Sequence, residues 1–229
     1  MVGLIGALQI EMDALLKDMA DVRIISAGAV RLAVGTLYGQ EAALCVCGAG
    51  KVNAAVYADT MIHRVHPEWM LNLGVAGAVS DRLDIGDIVI AEGCVQHDLD
   101  TTAFGDAPGW ISGLKTVQIP CDDRLIRRLE EAALTLTDVQ CRRGVIATGD
   151  QFISDPAVKR RLFQQFGCMV CEMEGAAVAQ TCCLHGVPVG VVRAVSDRAD
   201  ASAYKDFDVF ARHAAKRSAA LVRALLAGI

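Results

Sequence analysis

Trp69-Met70-Leu71-Asn72-Leu73, followed at once by Gly74-Val75-Ala76-Gly77, decides the fold class. Only Asn72 is polar among the first five residues. A strand with one wet face alternates apolar and polar residues. This run does not alternate, so it predicts a strand covered on both faces. Such sheets carry helices packed against them. The Gly-Val-Ala-Gly segment then reads as a small-residue turn, where a ligand can approach the backbone closely.

The flanking sequence supports that reading. Val2–Ala7 predicts a strand and Glu11–Met19 a helix. Ala29–Thr36 and Glu41–Cys47 flank Tyr38-Gly39-Gln40 and predict a hairpin. Lys51–Arg64 has a helical pattern, and Asp87–Cys94 and Gly144–Thr148 read as strands. Asp122 or Asp123 can cap a helix whose apolar positions are Leu125, Ile126, Leu129, Ala132, Ala133 and Leu136. Asp155-Pro156 is an N-cap with proline at the first helical position, opening a helix to about Phe166. Met169–Glu172 predicts a strand, Gly175–Leu184 a helix and Pro188–Val195 a strand. Asp206 or Asp208 opens a last helix to Gly228. Strands alternating with helices, plus one hairpin, make an α/β sandwich with a mixed sheet. No linker or low-complexity segment divides the chain, so residues 1–229 are expected to form one domain.

Composition narrows the function. The chain has 229 residues and a formal net charge of −5, which gives nucleic acid or an anionic membrane no electrostatic hold. Hydrophobic residues reach 53% but aromatics only 5%, so small side chains must fill the core. The N-terminus lacks a basic region and its apolar run stops before Glu11, unlike a signal peptide. No window is long and apolar enough for a membrane helix, and a cytoplasmic location is expected. Nine cysteines are an odd number, expected to stay reduced as small buried hydrophobes. Cys168-Met169-Val170-Cys171 lies in a strand-like run that sends positions i and i+3 to opposite faces. No second such pair completes a zinc site, and no metal is expected. His63, His66, His185 and His213 have no evident partners in sequence and read as surface or helix-end residues. His97 reads as an interface or loop-ordering residue.

Three acids interrupt the apolar pattern at the carboxyl ends of strands: Glu11, Glu174 and Asp197. Taken singly, each reads more readily as a helix cap or a solvated edge. Together they converge on the edge of the sheet where α/β proteins bind ligands. Carboxylates in one cleft can have their pKa values pushed apart into an acid and a base. That pair suits hydrolysis of a glycosidic bond. Gly48-Ala49-Gly50-Lys51 is Gly-rich before a helix but completes neither a P-loop nor a dinucleotide fingerprint.

The segments Gly6-Ala7-Leu8-Gln9-Ile10-Glu11, Gly48-Ala49-Gly50-Lys51-Val52, Asn72-Leu73-Gly74-Val75-Ala76-Gly77, Gly86-Asp87-Ile88-Val89, His97-Asp98, Thr102-Ala103-Phe104-Gly105, Gly149-Asp150-Gln151-Phe152-Ile153, Glu172-Met173-Glu174-Gly175 and Arg193-Ala194-Val195-Ser196-Asp197 span almost the whole chain. In this order and spacing the sequence resembles the 5′-methylthioadenosine/S-adenosylhomocysteine nucleosidases of the nucleoside phosphorylase-like superfamily. The resemblance implies a three-layer α/β sandwich, no cofactor, a homodimer and a small nucleoside substrate. It implies Asp197 as the acid that protonates the purine N7, and Glu11 as the base for the attacking water. Glu174 would bind the ribose hydroxyls. Arg193 would help position the ribose, water or Glu11, and Ser196 would orient Asp197. Phe152 would stack on adenine, the Ile153 backbone would read its edge, and Glu172 belongs to the same binding set. Leu8, Ala49, Met173 and Phe207 would line the 5′ pocket, closed by Phe104 of a partner subunit.

Two positions depart from the family. Many members carry Ser where this chain has Val75, removing a hydroxyl near the water, and Met where it has Leu8. The segments around Val75, His97 and Gln151 look more like members that also act on 6-amino-6-deoxyfutalosine. Three rival readings stand beside hydrolysis. A same-fold phosphorylase would need cations for its phosphate where this chain offers Glu11. A nucleoside-binding module would not need matched acids, and a nucleotide-cofactor enzyme rests only on the incomplete Gly-rich turn.

Overall fold

The computed structural model describes residues 1–137 and 139–228. Its strands are β1 (Val2–Gly6), β2 (Ala20–Ala27), β3 (Val30–Leu37), β4 (Gln40–Val46), β5 (Trp69–Ala78), β6 (Ile88–Gln96), β7 (Gln118–Pro120), β8 (Cys141–Thr148), β9 (Val170–Glu172) and β10 (Val189–Asp197). The helices are α1 (Gln9–Asp18), α2 (Lys51–Val65), α3 (Asp123–Ala133), α4 (Pro156–Phe166), α5 (Gly175–His185) and α6 (Ala203–Ala227). A short 3-10 turn covers Thr102–Phe104. Among the described residues, no helix is long and apolar enough to cross a membrane.

All ten strands belong to one mixed sheet. β4, β1, β5 and β10 run parallel side by side. β3 and β2 extend one edge as antiparallel strands, with the expected hairpin pairing Leu37 with Gln40. On the other side β10 pairs with both β5 and β6. β6 pairs with β8, β8 with β9, and β9 with β5 again, so these five strands close on themselves.

Side-chain alternation shows the layers. A Cβ on Gly3 would press on Met61 of α2, and one on Gly6 on Met12 of α1. Three residues apart on a strand, these positions face opposite sides. In β10, Gly190 faces Leu125 and Leu129 of α3, while Val191 touches Gly175 of α5. α1 and α3 both pack on α6, and α2 packs on α5. The result is the predicted three-layer sandwich.

Local capping explains several boundaries. Asp122 Oδ1 accepts from the backbone of Arg124 and Leu125 at 2.9 and 3.0 Å, opening α3. Asp155 Oδ1 accepts from Ala157 N at 2.7 Å, and Gly167 closes α4 in the left-handed region. Three expectations fail. Gly74–Gly77 is not a turn, because β5 continues to Ala78. α6 starts at Ala203, ahead of both aspartates expected to open it. Cys168 and Cys171 share one small core cluster, since the strand begins only at Val170 and alternation does not yet apply to Cys168. All nine cysteines are free.

Candidate active site

The parallel strands β1, β5 and β10 bring Gly6, Ala78 and Asp197 to the same edge of the sheet. β9 runs the other way. It is only three residues long and pairs at Gly77 and Ala78, so it delivers Glu172 and Glu174 to that edge too.

Glu11 is the third residue of α1, where a carboxylate complements the helix dipole. Its Oε2 accepts from Ala7 N and Leu8 N, both at 2.8 Å, and its Oε1 accepts from Val75 N at 3.0 Å. Burial pushes its pKa up, against the pull of these donors and Arg193. A Cβ at position 74 would lie 2.6 Å from Glu11 Oε1, so only glycine leaves the carboxylate its place.

Asp197 ends β10. Its Oδ1 accepts from Ala199 N at 2.9 Å, and its Oδ2 accepts from the Ser196 hydroxyl at 2.9 Å. Burial raises its pKa as well. Gly77 clears this acid as Gly74 clears the other: a Cβ there would sit 2.7 Å from Asp197 Oδ1.

Glu174 is the N-cap residue of α5, and its Oε1 accepts from Gly50 N at 2.7 Å. Burial and the neighbouring Glu172 carboxylate push its pKa up to about 7. Beneath it lies a buried polar layer. Glu172 accepts from the Thr148 hydroxyl, the Arg193 guanidinium, Glu174 N and Gly175 N. Arg193 also donates to Asn72 Oδ1 at 2.5 Å, and Asn72 Nδ2 donates to Ile5 O at 2.9 Å. The one polar residue in the deciding strand therefore anchors the one arginine of the layer. Burial disfavours the Arg193 charge, but Glu172, Glu174 and Glu11 outweigh it and hold the guanidinium protonated.

These groups surround a cavity of about 470 Å³, within the usual range for small-molecule sites. Ala7, Glu11, Val75, Ala76, Gly77, Cys171, Glu172, Glu174, Ser196 and Asp197 form its deeper wall. Leu8, Ala49, Phe152, Met173, Tyr204 and Phe207 also line it. Phe152 and Phe207 meet edge to face at 5.8 Å. Among the described residues lining it, none is Lys, Arg or His.

The family model of the phosphorylase superfamily matches residues 1–227. The 5′-methylthioadenosine/S-adenosylhomocysteine nucleosidase of Shewanella halifaxensis is 37% identical over 226 residues, covering 98% of each chain. The chain belongs to this nucleosidase family. Two solved structures place the fold of this nucleosidase-family chain among its relatives. The Neisseria meningitidis nucleosidase, in complex with methylthio-immucillin-A, superposes with a TM-score of 0.96 at 34% identity, covering 100% of this chain and 99% of that one. Futalosine hydrolase of Helicobacter pylori gives 0.95 at 31% identity, covering 100% and 97%.

Of the residues expected at the nucleosidase site, Glu11, Glu174, Asp197, Ser196, Glu172, Met173, Leu8, Ala49, Val75, Phe152 and Phe207 line the one cavity. The Glu172 carboxylate, expected on substrate, is engaged by protein donors instead. Arg193 lies behind it, 1% exposed. The Ile153 side chain is buried in the small core with Val95, Val145 and Cys171. Phe104 is 88% exposed and does not line its own chain's cavity. Tyr204 and Cys171 were not expected. The earlier start of α6 would have placed Tyr204 on the first helical turn, next to Phe207 at helical spacing.

Proposed function

We propose that the chain hydrolyses the N-glycosidic bond of 5′-thio-substituted adenosines, 5′-methylthioadenosine and S-adenosylhomocysteine, releasing adenine. One observation carries the choice of water over phosphate. Among the described residues, four buried carboxylates and no cation line the cavity, so a phosphate dianion meets no cationic side chain there while water has a base.

Asp197, raised by burial, delivers a proton to the purine N7 as the C1′–N9 bond breaks. The bonding electrons leave with the base, and adenine departs neutral. Water attacks C1′, and Glu11 takes its proton. Three backbone N–H groups and the Arg193 field keep Glu11 able to act as an anion despite burial. Glu174 accepts from the ribose hydroxyls, and its charge favours the cationic sugar of the transition state. Ser196 orients Asp197. Arg193 positions Glu172 and, through it, the first turn of α5 that carries Glu174.

Phe152 stacks on adenine beside Phe207, and the Ile153 backbone reads the base edge. Leu8, Ala49, Met173 and Phe207 receive the 5′ substituent, where a thioether packs well against Met and rings. Exposed Phe104 closes the pocket of a second copy in a homodimer, each chain of which is one domain, residues 1–229, acting in the cytoplasm. The likeness to futalosine hydrolase favours 6-amino-6-deoxyfutalosine as a further substrate. Adenine release from methylthioadenosine, adenosylhomocysteine, 5′-deoxyadenosine and aminodeoxyfutalosine in phosphate-free buffer tests the reading. Failure on all four overturns it, and a strict need for phosphate would make the protein a phosphorylase.

A further inference from the structure

Two of the histidines without evident sequence partners meet in the fold. Asp59 and His63 lie four residues apart on α2, one turn from each other on the same face. His185 is the last residue of α5, which packs along α2. His185 Nε2 lies 2.9 Å from Asp59 Oδ1, and His63 Nε2 lies 3.6 Å from the same oxygen. The two imidazoles stack edge-on with centroids 5.0 Å apart. All three ligand atoms fall within 4.8 Å of one another.

We propose that Asp59, His63 and His185 form a binding site for one divalent transition-metal ion of the zinc class. Ligands about 2.0–2.2 Å from a tetrahedral zinc are separated by roughly 3.3 Å. The two measured separations bracket that value. The remaining closure falls to side chains 51%, 62% and 30% exposed for Asp59, His63 and His185, with the His185–Asp59 hydrogen bond exchanged for bonds to the ion. Two imidazoles and one carboxylate select Zn²⁺, Ni²⁺, Co²⁺ or Cu²⁺ over Mg²⁺ and Ca²⁺, which prefer all-oxygen shells. A fourth position faces solvent and takes water.

The site lies far along the helices from the cavity. Both α2 and α5 begin at the cavity, where Gly50 N meets Glu174, and both carry the triad toward their other ends. An ion there ties α2 to α5 without touching a reacting group. It adds stability and leaves turnover alone.

Calorimetric titration of the tag-free, chelator-stripped and reduced protein with Zn²⁺, Ni²⁺ and Mg²⁺ tests this. One Zn²⁺ or Ni²⁺ per chain and no Mg²⁺ are expected. Losing even an outer-sphere partner of a ligand costs metal affinity about 10- to 100-fold, so His185→Ala and His63→Ala must each lose at least about tenfold. Cys183→Ser, an exposed thiol two residues from His185, must keep it. Zinc at a hundredfold excess over its dissociation constant raises Tm on the order of 5–10 °C in wild type and not in His185→Ala. Absence of zinc uptake by wild type at millimolar ion overturns the proposal. So does uptake unchanged in both histidine variants, or uptake lost in Cys183→Ser.

Discussion

At the floor of the cavity every carboxylate is held by the protein. Glu11 accepts three backbone N–H groups, Glu172 four donors, Asp197 two and Glu174 one. At its mouth Leu8, Ala49, Phe152, Tyr204 and Phe207 have few such ties. Phe152 is 48% exposed and Tyr204 76%. A floor fixed by hydrogen bonds is set before substrate arrives, as electrostatic catalysis requires. A mouth of loosely packed apolar groups can accept tails of different length. Changes at the floor should therefore strike kcat, and changes at the mouth should strike KM and substrate ranking.

The largest effects belong to the two acids. Asp197→Asn keeps an acceptor for Ala199 N but removes the transferable proton, and kcat should fall about 10²- to 10⁴-fold. Glu11→Gln should lose a similar factor. Its new N–H₂ group would also face backbone donors that now bond to Oε1 or Oε2. Single-turnover adenine release measures both. Near-wild-type rates in either variant would break the assignment of chemistry to the floor.

Three acids of the floor were also legible from residues alone. Glu11, Glu174 and Asp197 each break an apolar pattern at a strand end, and such a break survives without knowing the partner strands. What depends on distant pairing was not legible. β2 is an edge strand whose first five residues are all exposed, so it has no buried face to pattern. Gly74-Val75-Ala76-Gly77 reads as a turn by composition, yet its glycines serve the acids that approach β5 from α1 and β10. The closure of β5, β10, β6, β8 and β9 is equally invisible in a local reading. So is the meeting of His63 with His185, since the two residues sit on different helices.

Gly74→Ala isolates geometry from chemistry. The added methyl would lie 2.6 Å from Glu11 Oε1 and must move a carboxylate pinned by three donors. Misplacement by about 1 Å can cost on the order of 10²-fold in rate. A kcat loss of about 10- to 100-fold with KM little changed is expected from steady-state kinetics. A mainly KM effect would mean that Glu11 is less fixed than its bonds imply.

Glu174 sharpens the comparison through pH. Its folded pKa, about 7, lies above the ordinary value of 4.5 because of burial and Glu172. The folded state therefore holds the proton more tightly than the unfolded chain. The stability this supplies is complete below the unfolded pKa and is lost as pH rises through about 7. Glu11 and Asp197, raised by burial, act in the same direction. Tm should fall as pH rises across this range, and less steeply in Glu174→Gln. Ribose binding and the cationic transition state both need the Glu174 anion, so its ionisation should raise kcat/KM for methylthioadenosine several-fold over the same range. Equal pH slopes for Tm in wild type and Glu174→Gln would remove Glu174 as the cause.

The smallest effect comes from Leu8, the residue that belongs to both regions. Its side chain lines the mouth, while its backbone N–H holds Glu11 Oε2 at 2.8 Å. Leu8→Met nearly conserves volume, and such swaps usually cost less than about 1.5 kcal/mol. The backbone at this position is extended, with φ −109° and ψ 146°, and accepts either residue. KM should shift by less than about tenfold, with adenosylhomocysteine and methylthioadenosine affected unequally, because the flexible thioether packs differently against a long tail and a methyl group. kcat should stay put, since the N–H that steadies Glu11 is untouched. A kcat loss as large as that of Gly74→Ala would show that mouth packing sets the position of the base. Floor and mouth would then be one mechanical unit, joined at the first turn of α1.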